Sequence, residues 1–320
     1  MTVLHFPRGR RRNGGAPVRD DTAPPGGTPR LEEAEGRGGA DRAGGLPEAA
    51  TEAGTAVRPE VRPEVGPEGG PGGGARERDA DAKRAVARFW EAEACGERYG
   101  ADQQAMRYRL EPEILAFADF PSARGLDVLE IGVGMGADLL QWARAGARVT
   151  GVDLTERAVA ITRERLRAEG LAGDVRVGDA EDLPFPDGSF DLVWSWGVLH
   201  HTPASTRALR EAARVLRPGG RYAVMVYHRR SWVAAAAWAR FGLLRGRPGL
   251  TPAQAVAHIE SPGTRAFTAS EVTVLLEDLL TDLRVRPTLT HWDRKVAPGL
   301  AALAGDRFGW FLLVDGRRRK

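Results

Sequence analysis

Between residues 126 and 227 the chain alternates short apolar runs with amphipathic stretches of helical length. The runs are Leu126–Ile131, Ala147–Leu154, Asp174–Val177, Phe190–Trp196 and Arg221–Tyr227. Near-continuous apolar strands separated by helices predict a parallel sheet covered on both faces. Upstream, Ala85, Val86, Phe89 and Trp90 recur at helical spacing beside Lys83, Arg84, Arg88 and Glu91, so the folded part begins near residue 81. Downstream the rhythm breaks. Residues 228–267 read as an insertion rich in Ala, Trp and Arg, Thr268–Leu280 as a helix, and Leu283–Thr290 and Gly309–Val314 as two closing strands. The expected architecture is α/β: a Rossmann-like three-layer sandwich on a mostly parallel, seven-stranded sheet. Ligands in open α/β sheets sit beyond the carboxyl ends of the strands, so 228–267 is the natural substrate lid.

The first 80 residues carry a different pattern, with 10 Pro, 17 Gly and Phe6 as the only aromatic residue. Apolar burial there cannot offset the cost of ordering backbone, so residues 1–80 read as a disordered leader and 81–320 as the folded domain. Three tetrapeptides starting at Val57, Val61 and Val65 make a low-complexity spacer. The cluster Arg8–Arg12 is followed by no apolar stretch of signal-peptide length, which argues against export. No run approaches the ~18 apolar residues of a membrane span. The lone Cys95 excludes an intramolecular disulfide and a multi-cysteine metal centre, and fits a reducing, cytoplasmic setting with a structural role for the thiol. Lys and Arg total 46 against 43 Asp and Glu, too near balance to indicate nucleic acid.

The chemistry concentrates in Val128-Leu-Glu-Ile-Gly-Val-Gly-Met-Gly-Ala137, a strand running into a glycine turn and a helix. Gly132, Gly134 and Ala137 also satisfy a dinucleotide fingerprint, and Asp153 follows near the ~20-residue spacing of a ribose-binding acid, so a nicotinamide oxidoreductase must be weighed. Glu130 opposes that reading: a carboxylate beside the first glycine repels a pyrophosphate but suits a cationic ammonium. Asp179, in Gly178-Asp-Ala-Glu-Asp-Leu-Pro-Phe185, can accept a hydrogen bond from an adenine amino group. Asp191-Leu-Val-Trp-Ser-Trp-Gly-Val-Leu-His-His201 and Arg214-Val-Leu-Arg-Pro-Gly-Gly220 follow at the spacing of a fourth strand and of the turn into a fifth.

With these motifs in this order, Val128–Val226 resembles the small-molecule methylase group of class I S-adenosylmethionine-dependent methyltransferases, similar to ubiquinone/menaquinone-type methylases. The resemblance implies S-adenosyl-L-methionine as cofactor and a small molecule as acceptor. It implies that Gly132, Gly134 and Gly136 line the methionine moiety, with Glu130 ordering its amine. It further implies that Asp153, next to Leu154, holds the ribose, that Asp179 and the Ala180 backbone bind adenine, and that Trp196 stands on the cofactor side. Phe89–Tyr99 and Glu260–Thr268 resemble flanking parts of uncharacterised bacterial members.

Methyl transfer is an in-line displacement that needs alignment and, for some acceptors, a base. His200 and His201 follow the fourth strand, and Tyr227 and His228 end the fifth; His201 and His228 are the candidate catalytic residues. Adjacent histidines without a carboxylate or Cys at ligand spacing are no metal site. Other readings with this core are an RNA or protein methyltransferase and a binding-only module. Amino methylases usually carry an acidic or Asn residue, two prolines and an aromatic residue after the fourth strand, where this chain has Ser195-Trp-Gly-Val198, a departure that argues against exocyclic amines of nucleic acid.

Overall fold

A computed structural model describes residues 74–92, 103–261 and 263–320 of the chain. The leader and repeat readings for residues 1–73, and the reading of Cys95, lie outside the described residues. Helix α1 (Gly74–Ala92) starts inside the stretch assigned to the leader. Gly and Pro cease at Gly74, and the Ala, Arg and Glu residues that follow are helix formers. Helices α2 (Gln103–Leu110) and α3 (Glu113–Ala118) come next.

The alternating pattern then resolves into β1 (Asp127–Ile131), α4 (Ala137–Arg144), β2 (Arg148–Asp153), α5 (Glu156–Ala168) and β3 (Asp174–Val177). It continues with β4 (Phe190–Trp196), α6 (Ser205–Arg214) and β5 (Leu216–Tyr227). Strand β5 begins earlier than its apolar run. Leu216 pairs with Phe190 and Arg221 with Leu192, so Pro218-Gly219-Gly220 is a bulge within the strand, not a turn before it.

Strands β6 (Leu280–Thr288) and β7 (Phe311–Arg318) complete one seven-stranded sheet in the order β3-β2-β1-β4-β5-β7-β6. β1 to β5 are parallel, and β7 lies antiparallel between β5 and β6. Strand side chains divide between the faces with period two. Leu192, Trp194 and Trp196 of β4 join Trp142, Tyr227 and Trp310 in one core layer. Val193, with Tyr222, Val224 and Val226 of β5, faces the other, against Leu209 of α6.

Two insertions stand at the carboxyl end of the parallel strands. The first holds α7 (Trp232–Phe241) and α8 (Pro252–Val256), before α9 (Ala269–Leu276) leads back to β6. Its ends meet: the Phe267 N–H donates to the Tyr227 carbonyl, and the Arg229 N–H to the Phe267 carbonyl, both at 2.8 Å. The second carries α10 (His291–Val296) and α11 (Pro298–Ala304) between β6 and β7, where the sequence pattern showed no element. The Thr290–Asp293 capping box starts α10, and Pro298 occupies the first turn of α11. Among the described residues, no helix is long and apolar enough to cross a membrane.

Candidate active site

Strand order reverses between β1 and β4, and chains leaving such a switch point diverge to opposite faces and open a crevice. A cleft of about 1090 Å³, measured to its open mouth, lies there. The turn after β1 forms its floor. Gly132 has φ 82°, and a Cβ on it would stand 2.2 Å from Val198 Cγ2, so β4's exit loop can approach only a bare backbone. Gly136 starts α4 in the left-handed region at φ 73°.

The cleft wall is acidic. Glu130 at the end of β1 is buried, and its Oε2 has no hydrogen-bond partner. Burial, reinforced by Asp138 and Asp153, raises its pKa well above the ordinary carboxylate range, although Arg107 pulls the other way. Asp153, at the end of β2, is clamped. Its Oδ2 accepts from the Gly134 N–H at 3.0 Å, and its Oδ1 from the Thr155 N–H at 3.0 Å and hydroxyl at 2.8 Å. Burial still raises its pKa against those hydrogen bonds. Leu154 and Ala180 border the cleft beside it.

Asp179 is ion-paired. Lys83 of α1 reaches Asp179 Oδ2 at 2.6 Å and Glu181 Oε2 at 2.5 Å, and Asp179 Oδ1 accepts from the Glu181 N–H at 2.8 Å. Burial works against the Lys83 charge, but the two acidic partners hold its pKa above the ordinary value. Trp196 borders the cleft with its indole N–H committed to Glu111 Oε2 at 2.7 Å, so it shapes the wall and leaves the bonding to its neighbours.

The two candidate histidines separate. His201 lines the cleft with Trp90 of α1 edge-on at 5.7 Å. Its Nδ1 lies 2.7 Å from Thr264 Oγ1 and 2.8 Å from Ser261 Oγ, and burial lowers its pKa to about 3. His228 is not among the cleft-lining residues. Its Nδ1 donates to the Gly309 carbonyl at 3.0 Å, tying β5's exit to the start of β7.

Sequence reasoning missed Lys83, Val86, Trp90, Arg107 and Asp138, all of which line the cleft. Asp138, buried in the first turn of α4, accepts from Arg107 Nη2 at 2.8 Å, the Tyr108 hydroxyl at 3.0 Å and Trp194 Nε1 at 3.1 Å. The signal was an acid in the turn after the glycines facing a basic helix, but nothing in the sequence pairs α2 with α4.

This wall separates the two cofactor chemistries that fit the glycine fingerprint. A pyrophosphate needs free N–H groups at the helix start, yet Gly134 gives its N–H to Asp153, and the wall beside it is lined by carboxyl groups. An ammonium group meets the opposite: a buried carboxyl oxygen without a hydrogen-bond partner on cleft-lining Glu130. Fold and cleft together fit a methyltransferase domain that binds S-adenosylmethionine, and Glu130, Asp153 and Asp179 line its acidic wall.

Comparison with known proteins agrees. Residues 129–224 match the methyltransferase domain family. The chain is similar to methyltransferase GfsG of Streptomyces halstedii, 41% identical over 103 residues, covering 31% of this chain and 37% of the relative. It is similar to 27-O-demethylrifamycin SV methyltransferase of Amycolatopsis mediterranei, 43% identical over 109 residues, covering 32% and 39%. To demethylmenaquinone methyltransferase of Tropheryma whipplei it is 41% identical over 112 residues, covering 34% and 46%. The chain thus spans less than half the length of each of these relatives. A chain in the complex between the Haloferax volcanii Trm112 methyltransferase activator and a putative methyltransferase shares the fold. The TM-score is 0.51 at 23% identity, over 72% of this chain and 97% of that one.

Proposed function

We propose that this protein transfers a methyl group from S-adenosylmethionine to a small-molecule acceptor. The observation that carries the reading is Glu130's unpartnered, buried carboxylate oxygen beside the glycine turn, with Asp153 and Asp179 at the following strand ends. Relatives that are methyltransferases of 27-O-demethylrifamycin SV and of demethylmenaquinone support a small-molecule acceptor.

S-adenosylmethionine supplies a methyl group already activated on a sulfonium, so the protein's task is alignment and exclusion of water. Glu130 receives the amine, Asp153 and Asp179 hold the ribose and adenine, and the acceptor lies toward Trp90 and His201. Because its pKa is near 3, His201 is a neutral hydrogen-bond acceptor at physiological pH and a poor store for a proton. It orients the acceptor. The insertion 228–267 supplies the acceptor side through Ser261 and Thr264 behind His201, and the enzyme works in the cytoplasm.

Calorimetric titration with S-adenosylhomocysteine tests the reading, with NADH as control. Micromolar binding is expected in the wild type and is lost in Asp153→Ala and Gly134→Val. Binding of NADH with none of S-adenosylhomocysteine by the folded protein refutes it.

A further inference from the structure

Two side chains of the insertion, Ser261 and Thr264, reach the cleft-lining ring of His201. Thr264 Oγ1 donates its one proton to the Ser261 carbonyl at 2.7 Å. The same oxygen stands 2.7 Å from His201 Nδ1, a contact in which it can then only accept. Were Nδ1 bare, two lone pairs would face each other at that distance in a buried pocket, where an unmatched polar contact is most costly. The proton is therefore on Nδ1. Ser261 Oγ, 2.8 Å from Nδ1 and 3.2 Å from Thr264 Oγ1, adds a second acceptor and turns its own proton toward Thr264.

The ring is held from its other sides as well. His200 packs against it with ring centroids 4.2 Å apart and Trp90 meets it edge-on, while the His201 backbone N–H donates to the Val198 carbonyl at 2.8 Å. Ser261 and Thr264 do not border the cleft, whereas His201 does, so the edge opposite Nδ1 faces the ligand space.

We infer that Ser261 and Thr264 are positioning residues that hold His201 as its Nδ1–H tautomer, so that the unshared pair on Nε2 meets an O–H or N–H group of the methyl acceptor. The inference rests on the methyltransferase reading and narrows it to acceptors that bring a hydrogen-bond donor to the cleft. A carbonyl or ether oxygen at the same place would face the Nε2 lone pair and be rejected. Burial supports the arrangement by keeping the ring neutral, and the acceptor's displaced proton leaves to water.

Nuclear magnetic resonance of the full-length, ¹⁵N-labelled protein without cofactor reads the tautomer directly. The chain has six histidines, and His201 is assigned by the signals that vanish in His201→Gln. Expected is a protonated, pyrrole-type Nδ1 and a bare, pyridine-type Nε2 from about pH 5.5 to about pH 8. Thr264→Val should shift the population toward Nε2–H, and Thr264→Ser should restore Nδ1–H. An Nε2–H tautomer in the wild type, an imidazolium at pH 6 or a Thr264→Val spectrum unchanged at His201 overturns the inference. S-adenosylhomocysteine titration of the same samples keeps the two readings apart. Wild type that shows Nδ1–H but binds no S-adenosylhomocysteine refutes the donor reading alone. Thr264→Val that binds within about twofold of wild type with a changed tautomer places the effect on the acceptor side.

Discussion

Replacing Glu130 by Gln exchanges one oxygen for one nitrogen at the end of β1 and takes an ionisable carboxyl group out of the cleft. In the free protein, burial with help from Asp138 and Asp153 raises the Glu130 pKa well above 4.5. The native state therefore holds this proton at pH values where the unfolded chain has released it. Stability falls as pH climbs from near 4.5 through the folded-state pKa, because the native state binds more protons than the unfolded state across that window. An amide does not titrate, so Glu130→Gln escapes this loss and is the more stable protein at alkaline pH. Binding runs in the opposite direction. A hydrogen bond to a charged group contributes about 1.5–3 kcal/mol, so removing the carboxylate weakens S-adenosylhomocysteine by roughly 10- to 150-fold. The wild type should also bind more tightly as pH rises, since the carboxyl must ionise to receive the ammonium, and the variant should lose that slope. Calorimetry from about pH 6 to about pH 8, with urea denaturation in the same buffers, measures both effects. A variant that binds within about threefold of wild type, or a wild-type affinity that is flat or falls with pH, refutes the assignment of Glu130 to the amine.

Gly132→Ala should cost about 1–2 kcal/mol for a left-handed backbone and about 1–3 kcal/mol for the clash with Val198, read by urea denaturation; adding Val198→Ala should recover only the second part. Arg107→Met leaves the buried Asp138 carboxylate with only the Tyr108 and Trp194 donors, and should destabilise by about 3 kcal/mol in tryptophan-monitored unfolding. Lys83→Met frees Asp179 from a partly exposed ion pair worth up to about 1 kcal/mol, so S-adenosylhomocysteine affinity at low salt should rise by no more than about fivefold. A fall in affinity would instead place Lys83 in the binding surface.

The donor half was legible because its signals are local. The apolar residues of β1, β2 and β4 mark these strands locally, and Glu130, Asp153 and Asp179 stand at or just past the ends of β1, β2 and β3. What failed to show was pairing across long separation. Lys83 and Asp179 are 96 positions apart, and Arg107 and Asp138 are 31 apart on helices whose mutual packing no periodicity encodes. Helices α10 and α11 were missed because each is short and the Ala297-Pro298-Gly299 break interrupts any helical rhythm, leaving the Thr290–Asp293 capping box as the one signal. His228 was chosen by its position after β5, but a strand's exit residue can turn either to the cleft or to a neighbouring strand. The Gly309 carbonyl takes it.

The meeting of Tyr227 with Phe267 has a practical meaning. A segment that leaves the sheet after Tyr227 and returns to the same hydrogen-bonded point at Phe267, before α9 and β6, has the closed ends of a cassette, since closing a loop of different length across fixed ends changes the entropic cost only logarithmically. Thr288 and Phe311, paired across β6 and β7, bracket a second cassette in the same way. Exchanging either segment for one from another protein of this fold leaves the sequence of β1 to β4 and their acidic wall unchanged, and tests whether the segment sets the acceptor.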